Sequence, residues 1–351
     1  MTIRDRLALR PEAASGLWKR ASVWVAPATL TAVVLLSFGI GKYPISPAEF
    51  AEAVIARITG QPSAIDPTIQ TVLWQVRLPR VLAGLVVGAA VAAAGASYQG
   101  LFRNPLVSPD ILGVSAGASL GAVLGIFLSL PVVAVQVLAF AGGLAAVALV
   151  YVIGSAMRER DPILVLVLAG VAIGALLAAC LSLLKVLADP YNQLPAITYW
   201  LLGSLAAVTR GDLLSILPAL AIGFVPLVLL RWRMNLMTLG DEEARALGVD
   251  TTRLRCVFIA SATLMTAAAV SITGVIGWIG LLIPHIARML VGPDFGRLLL
   301  AAVMLGGGFL VGVDAVARST ARIEIPLGIL TAALGAPFFL YLLATARKGW
   351  Q

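Results

Sequence analysis

Charged side chains are scarce in this 351-residue chain, where Asp, Glu, Lys and Arg together make up only 12% of the positions. Hydrophobic residues make up 60%, whereas a soluble domain has about 25% charged residues and about half apolar ones. The chain has a single histidine, His285, and two isolated cysteines, Cys180 and Cys256. These three residues suggest neither a disulfide nor a metal site. The composition therefore excludes an ordinary soluble domain and predicts a membrane protein without a metal centre.

A phosphate-binding loop of the form G-x-x-x-x-G-K-[ST] is also missing from the sequence. Such a loop holds nucleotide phosphates with backbone N–H groups and a lysine. We therefore expect a subunit that is not an ATPase by this route and that has no cofactor of its own. The net charge of +8 comes without a stripe of Lys and Arg with interleaved aromatic residues, so no nucleic-acid partner is predicted.

Ten apolar stretches approach the length of about 20 residues that one bilayer crossing needs. They predict an all-α polytopic membrane protein with one transmembrane domain over residues 21–346. Lys and Arg are enriched on the cytosolic side of membrane proteins, and most of them are cytosolic here if both termini are. Residues 1–20 then form a cytosolic arm, and 234–255 a cytosolic segment. The predicted spans are 21–41, 80–101, 111–129, 131–156, 162–187, 213–230, 254–273, 275–291, 297–317 and 325–346.

The stretch from residue 77 to residue 125 has two apolar segments on either side of a polar hairpin, Arg103 to Asp110. Pro105 forces Asn104 out of helical geometry, so a fixed bend is expected in the hairpin. In the second segment, glycine recurs at every fourth position, and this spacing lets a neighbouring helix backbone approach closely. The glycines expected to pack are Gly113, Gly117, Gly121 and Gly125.

The segment 234–255 contains a predicted short helix whose first turn is acidic, where the helix macrodipole favours negative charge. Gly248 follows the last turn as a C-terminal stop. Ala244 and Leu247 are three residues apart and share a face, which predicts a small knob that fits a groove on a partner. An ordinary amphipathic connector is the alternative interpretation.

Several blocks, in this order, resemble the FecCD family, the permease subunits of ATP-binding-cassette (ABC) importers for iron–siderophore complexes, haem and vitamin B12. The resemblance covers nearly the whole chain from the first span onward. The blocks are RLPR at 77–80, RNPL at 103–106, LGVS at 112–115, GDEEARALG at 240–248, GWIGL at 277–281, IPHI at 283–286, PLG at 326–328 and LGAP at 334–337.

The resemblance implies a type II ABC importer architecture of about ten transmembrane helices in the inner membrane of a bacterium. It also implies three protein partners: a second permease copy or paralogue, ABC ATPase subunits that bind ATP and Mg, and a periplasmic or lipid-anchored substrate-binding protein. Membrane lipids surround the bundle. The residues implied in coupling to the ATPase are Gly240, Glu243, Ala244, Leu247 and Gly248.

The resemblance further implies that Arg77, Arg80 and Arg318 face acidic groups of the binding protein. Arginines that snorkel to the membrane surface are the alternative. Asp314 precedes Arg318 by four residues, so we expect an ion pair between them. Arg80 is expected in the first helical turn, where the helix dipole opposes a cation at a cost of about 0.3–1 kcal/mol. The cytoplasmic gate is implied at Asn104, Leu106, Ile163 and Leu164.

A secondary transporter or a channel is the alternative class. Ion-coupled carriers keep ionisable residues at mid-membrane, but Lys185, Asp314 and His285 all fall near span ends. An intramembrane enzyme would need a paired nucleophile and base, and the sequence shows no such pair. His285 is either structural or a proton relay, and Lys185 either snorkels or meets the cargo. The expected cargo is an iron(III)–siderophore or related metal chelate, with haem, vitamin B12 or molybdate as alternatives.

Overall fold

The computed structural model describes residues 11–60, 65–157, 162–321 and 323–345. Within these ranges all regular structure is helical, which confirms the predicted all-α fold class. A short 3-10 turn, Pro109–Leu112, precedes the fourth helix. The helices are α1 (Pro11–Gly39), α2 (Pro47–Thr59), α3 (Pro67–Leu101), α4 (Val114–Phe127), α5 (Val132–Ala156), α6 (Pro162–Leu187), α7 (Gln193–Leu202), α8 (Arg210–Leu229), α9 (Arg231–Met237), α10 (Asp241–Ala246), α11 (Thr251–Thr273), α12 (Ile279–Val291), α13 (Phe295–Thr320) and α14 (Leu327–Thr345).

Six of these helices are long and apolar enough to cross a membrane: α3, α5, α6, α8, α11 and α13. Shorter apolar stretches of 10–17 residues lie in α1, α4, α12 and α14. Each predicted span therefore coincides with one described helix, although several boundaries differ. The first ten residues of the predicted arm and residue 346 lie outside the described residues, and α1 already begins at Pro11, inside that arm.

The helix α3 begins well before its predicted start at residue 80. It starts at Pro67, where the Asp66 carboxylate accepts a hydrogen bond from the Thr68 N–H at 2.7 Å. A π-helical turn over Val72–Arg77 continues the helix into the apolar segment. Arg80 therefore lies in a helix interior, so the predicted dipole penalty at this residue is wrong.

The predicted span 275–291 is also only partly helical. Residues 274–278 are not helical, and α12 starts at Ile279. Gly274 and Trp278 have φ of 70° and 71°, in the left-handed region. A Cβ on Gly203 would lie 3.0 Å from the Val275 carbonyl carbon, so this non-helical segment packs closely on the chain at Gly203. Non-helical backbone at membrane depth is tolerated where protein surrounds it.

The helices α3, α11 and α13 form the centre of the bundle, and their apolar windows are 78%, 72% and 61% buried. Small residues let these backbones approach one another. A Cβ on Gly88 would lie 2.8 Å from the Gly306 carbonyl carbon, and one on Gly95 would lie 2.6 Å from that of Gly280. The peripheral helix α6 is different, since only 17% of its apolar window is buried in the single chain.

The bundle has two ends of different character. The helix α3 runs from one end to the other. Arg80 lies in its first half, and Gly100 near its last residue packs beside Met234. The arginine end is defined by Arg77, Arg80 and Arg318. The hairpin end is defined by the hairpin 103–110 and the segment 234–255.

Candidate functional site at the two ends of the bundle

Arg80 is held by two carboxylates from distant parts of the chain. Its Nε donates to both carboxylate oxygens of Asp314 at 2.8 and 3.0 Å. Its two terminal nitrogens donate to Glu324 at 3.1 and 2.8 Å, the bidentate geometry that makes such pairs strong and directional. The Nε of Arg318 lies 3.2 Å from Asp314, so the expected i,i+4 ion pair is present. The side chains of Arg80 and Asp314 are only 8% and 2% exposed.

Glu324 is the accessible member of this cluster, with a side chain that is 34% exposed. It lies in the loop between α13 and α14. Burial alone would raise the pKa of its carboxyl, but the hydrogen bonds and positive charge of Arg80 bring the pKa below its ordinary range. Glu324 is therefore ionised at neutral pH and covers Arg80 on its outer side.

The other two arginines bind the C-terminal end of α1. Arg318 Nη2 donates to the carbonyl of Ser37 at 3.0 Å. Arg77 donates to the carbonyls of Phe38 and Tyr43. The last carbonyls of a helix lack partners within the helix and carry the negative end of its dipole. The two guanidinium groups therefore cap α1.

The three predicted docking arginines are thus buried, with exposed fractions of 3% for Arg77 and 7% for Arg80 and Arg318. The alternative interpretation, that they snorkel to the membrane surface, is wrong, because carbonyls and carboxylates of this chain bind them. Their role in docking stays a prediction. Other basic side chains at this end are exposed, and the sequence motifs did not single them out: Lys42, Arg57 and Arg210.

At the hairpin end, α10 is the predicted acidic helix. Asp241, Glu242 and Glu243 form its first turn. It ends at Gly248, whose φ is 81°. The Gly248 N–H donates to the Arg245 carbonyl at 2.9 Å, and the Val249 N–H to the Ala244 carbonyl at 3.0 Å. This is the Schellman pattern that satisfies the last carbonyls of a helix.

The predicted knob of Ala244 with Leu247 is wrong, because Ala244 is fully buried against the bundle. The accessible surface of this segment includes Glu242, Glu243, Arg245, Ala246 and Leu247, the last of which is 59% exposed. An ion pair between Asp241 and Arg255, at 2.8 Å, fixes the start of the helix to α11.

Asn235 is a further anchor that sequence reasoning missed. Its side chain donates to Asp294 at 2.7 Å and accepts from the Phe295 N–H at 2.8 Å. It therefore ties the start of the segment 234–255 to the start of α13. Asn235 and Phe295 are 60 residues apart in the chain, so no local sequence pattern links them.

The expected bend of the hairpin is present. The Asn104 Oδ1 accepts a hydrogen bond from the Leu106 N–H at 2.9 Å, and Leu106 is 48% exposed. Of the two gate residues predicted on α6, Leu164 is 53% exposed and Ile163 is half-buried against the core. These positions fit a gate at this end, but the gate stays a prediction.

Three of the four predicted packing glycines face α5. A Cβ on Gly117 would meet Ala146 Cβ at 2.5 Å, one on Gly121 the Leu138 carbonyl carbon at 2.7 Å, and one on Gly125 Val135 Cγ2 at 3.0 Å. Gly113 lies apart from this face. It precedes α4 with a φ of 80°, and its nearest neighbours lie 3.9 Å away on α6.

The remaining polar residues form no evident metal site. His285 is half-buried in α12, and Lys185 is half-buried near the end of α6. Across the described ranges, no group of three or more His, Cys, Asp or Glu side chains is placed to hold a metal ion.

Long apolar helices with charged sites at opposite ends define a polytopic membrane protein. Residues 29–345 match the model of the FecCD transport family, and the chain belongs to this family. The predicted membership is thereby confirmed.

Relatives and solved structures extend the match over most of the chain. The molybdate import system permease protein MolB of Haemophilus influenzae is 39% identical over 320 residues, 91% of this chain and 94% of that protein. The cobalamin import system permease protein BtuC of Halobacterium salinarum is 42% identical over 280 residues, 80% of this chain and 75% of that protein. The structure of a metal-chelate type ABC transporter in an inward-facing conformation superposes with a TM-score of 0.82 at 38% identity, covering 92% of this chain and 98% of the other.

Proposed function

We propose that this chain is the transmembrane permease subunit of an ABC importer that moves an iron(III)–siderophore or a related metal chelate into a bacterial cytoplasm. The observation that carries the proposal is α10, which presents Glu243 and Leu247 at the surface while its other face is fixed to the bundle. The match to import-system permeases along most of the chain supports the same conclusion.

In this proposal all ten apolar helices cross the inner membrane, and two copies enclose the pathway. The hairpin end is cytosolic, as are both termini. The course of the chain supports this, since α1 ends at the arginine end and α14 starts there, where the Leu327 N–H donates to the Gly203 carbonyl at 3.0 Å. A separate ATPase binds ATP and Mg, and this subunit catalyses nothing.

Movement of α10 would reach the core through two rigid connections. The first is the ion pair from Asp241 to Arg255 on α11. The second runs through the preceding helix α9, whose Asn235 makes two hydrogen bonds with Asp294 and Phe295 at the start of α13. Because α13 carries Asp314 near its other end, a displacement caused by the ATPase would be passed to the arginine end. Gate opening at Asn104, Leu106, Ile163 and Leu164 would follow from the same displacement.

The substrate-binding protein would dock at the arginine end. Exposed Arg57 and Arg210 would meet its acidic groups first, and the buried arginines would add to the positive field there. A cavity of about 550 Å³ is lined by Arg80 and Arg210, and it gives an acidic side chain a route towards Arg80. Charge pairs of this kind mainly raise the association rate and are weakened by salt.

The identity of the cargo is the most detailed part of the proposal. A metal chelate agrees with the superposed structure, which is that of a metal-chelate type ABC transporter. Molybdate is the second candidate, because a molybdate permease is 39% identical over 91% of this chain. Uptake of radiolabelled iron siderophore, molybdate and cobalamin by liposomes that contain the whole importer would decide among them. Transport of molybdate alone would reject the chelate.

The coupling role is tested with the double variant Glu243→Lys, Leu247→Asp. Both side chains are exposed, so the fold should survive, but the charge and apolar contact offered to the ATPase are lost. We expect that transport-coupled ATPase activity in proteoliposomes disappears while thermal unfolding is unchanged. The matched control is Arg253→Gln, an exposed change at the same end outside α10. Normal coupling in the double variant would reject the assignment.

A further inference from the structure

A groove of about 700 Å³ runs along the side of the bundle between α5 and α8, with α11 as its floor. Its walls include Val137 and Phe140 on one side and Pro218 and Ile222 on the other, and Ala268 lies on the floor. Val137 and Ile222 are 59% and 66% exposed. The groove therefore faces the surroundings of the bundle and not its packed centre.

Two features of the sequence help to form this groove. Pro218 lies inside α8, where it cannot donate to the Leu214 carbonyl and its ring crowds the preceding turn, which bends a helix. The floor residue Ala268 has too small a side chain to fill the space. Water gains few hydrogen bonds in such an apolar space, so within a bilayer hydrocarbon is the natural occupant.

One end of the groove is polar. There it meets a second cavity of about 650 Å³, and the two share Gln136 and Asp212. The second cavity is lined by Ser129, Asn192 and Ser204, among others. The path therefore leads from the apolar groove past the carboxylate of Asp212 into a cavity where polar side chains stand among apolar ones such as Ile126, Leu130 and Trp200.

Asp212 gives this path its charge preference. Its carboxylate accepts hydrogen bonds from Gln136 Nε2 at 2.8 Å and from the N–H and hydroxyl of Thr209 at 2.9 and 2.7 Å. Among the ion pairs of the described residues, none joins Asp212 to an arginine or a lysine. An uncompensated carboxylate at the end of a membrane helix favours a cationic ligand.

We propose that this groove binds one phospholipid with a primary-amine headgroup, phosphatidylethanolamine. An acyl chain fills the groove between α5 and α8, the ammonium group pairs with Asp212, and the rest of the headgroup lies beside the polar side chains of the second cavity, Ser129, Asn192 and Ser204. The position of Asp212 agrees with the depth of a lipid headgroup, because Asp212 is in the first turn of α8. Tyr199, an aromatic residue of a type common at the membrane interface, lines the same cavity. The proposal requires residence in a membrane and is independent of the proposed cargo and coupling.

The test is native mass spectrometry of the full chain purified in detergent. Phosphatidylethanolamine, phosphatidylglycerol and phosphatidylcholine with identical acyl chains are titrated separately. We expect a severalfold lower apparent Kd for phosphatidylethanolamine, because only its headgroup donates ammonium hydrogen bonds. Equal apparent Kd values for the three lipids would overturn the proposal, and this comparison needs no variant.

Two variants separate the parts of the site. Asp212→Asn keeps the size of the side chain and removes its charge, so the preference among headgroups should disappear. Ala219→Phe fills the groove and should weaken all three lipids, whereas Ala148→Phe adds the same group to an exposed face of α5 outside both cavities and should change nothing. Unfolding midpoints confirm that each variant is folded. If Ala219→Phe keeps lipid binding, or alters only the oligomeric mass, the groove is not a lipid site.

Discussion

Replacement of Gly121 by alanine tests the closest helix contact predicted from the sequence. The new Cβ would lie 2.7 Å from the Leu138 carbonyl carbon, and closer still to its oxygen. Ordinary contact begins at 3.4 Å, so the shortfall to the carbon alone is about 0.7 Å. Both atoms belong to backbone, and no side-chain rotation relieves the overlap. The helices α4 and α5 must therefore move apart.

The size of the effect follows from this separation. A radial gap of about 0.5–1 Å forfeits a quarter to a half of the dispersion energy between packed atoms, and overpacking of a tight site costs about 1–3 kcal/mol. Alanine also favours a helix over glycine by up to about 1 kcal/mol, and this term must be removed by a control.

Gly174→Ala supplies that control. Gly174 lies inside α6, and a Cβ there would meet no atom within 4 Å, so this variant has the helix-propensity gain without the overlap. We expect Gly121→Ala to be less stable than Gly174→Ala by about 1–3 kcal/mol, measured by unfolding in detergent at one protein concentration. A Gly121→Ala protein that equals or exceeds the control in stability would refute close packing as the reason for glycine at this position.

Asp314→Asn should lower the free energy of unfolding by about 3–5 kcal/mol, because buried Arg80 loses a charged partner. Arg253→Gln should change it by less than about 1 kcal/mol, since this arginine and its aspartate are exposed, and similar losses for the two variants would contradict the burial argument. Asn235→Ala should cost about 1–3 kcal/mol in the same unfolding assay, because it leaves polar groups at the start of α13 unpaired; an unchanged midpoint would show that this anchor is dispensable. The Arg297 backbone N–H holds the pKa of Asp294 below its ordinary range, so its stabilisation is complete above the unfolded-state pKa and is lost as the pH falls through the folded-state pKa. Between about pH 5 and pH 3, the unfolding midpoint should therefore fall more in the wild type than in Asp294→Asn, and parallel pH profiles would contradict this.

Among the described residues, hydropathy located the six long apolar helices and the four shorter apolar stretches, because each contains an apolar run. Residue spacing located contacts between residues close together in the chain. The pair of Asp314 and Arg318 is four residues apart on one helix, and the glycine stop of α10 is a local turn. These features need no knowledge of tertiary structure. The sequence could therefore predict them from spacing alone.

The partners of Arg80 could not be predicted in this way. Asp314 and Glu324 are 234 and 244 residues away in the chain, and a single sequence contains no signal that joins them to it. The prediction that Ala244 forms an exposed knob was wrong for a related reason. Spacing identifies residues that share a helix face, but it does not tell which face packs on the bundle. The contact of Gly88 with α13 did have a signal in the sequence, since Gly84, Gly88 and Ala92 show the same four-residue spacing as the glycines of α4.

The helix contacts also decide which part of the chain can connect the two ends. The glycines of α4 pack on α5, its neighbour in the chain, and so they hold a hairpin of helices together. The ends are joined instead by α13, because Asn235 binds its start and Arg80 binds Asp314 near its finish. Its backbone also touches α3 at Gly306. The central helices α3 and α13 therefore form one path of contacts between the two ends, whereas only 17% of the apolar window of α6 is buried in the single chain.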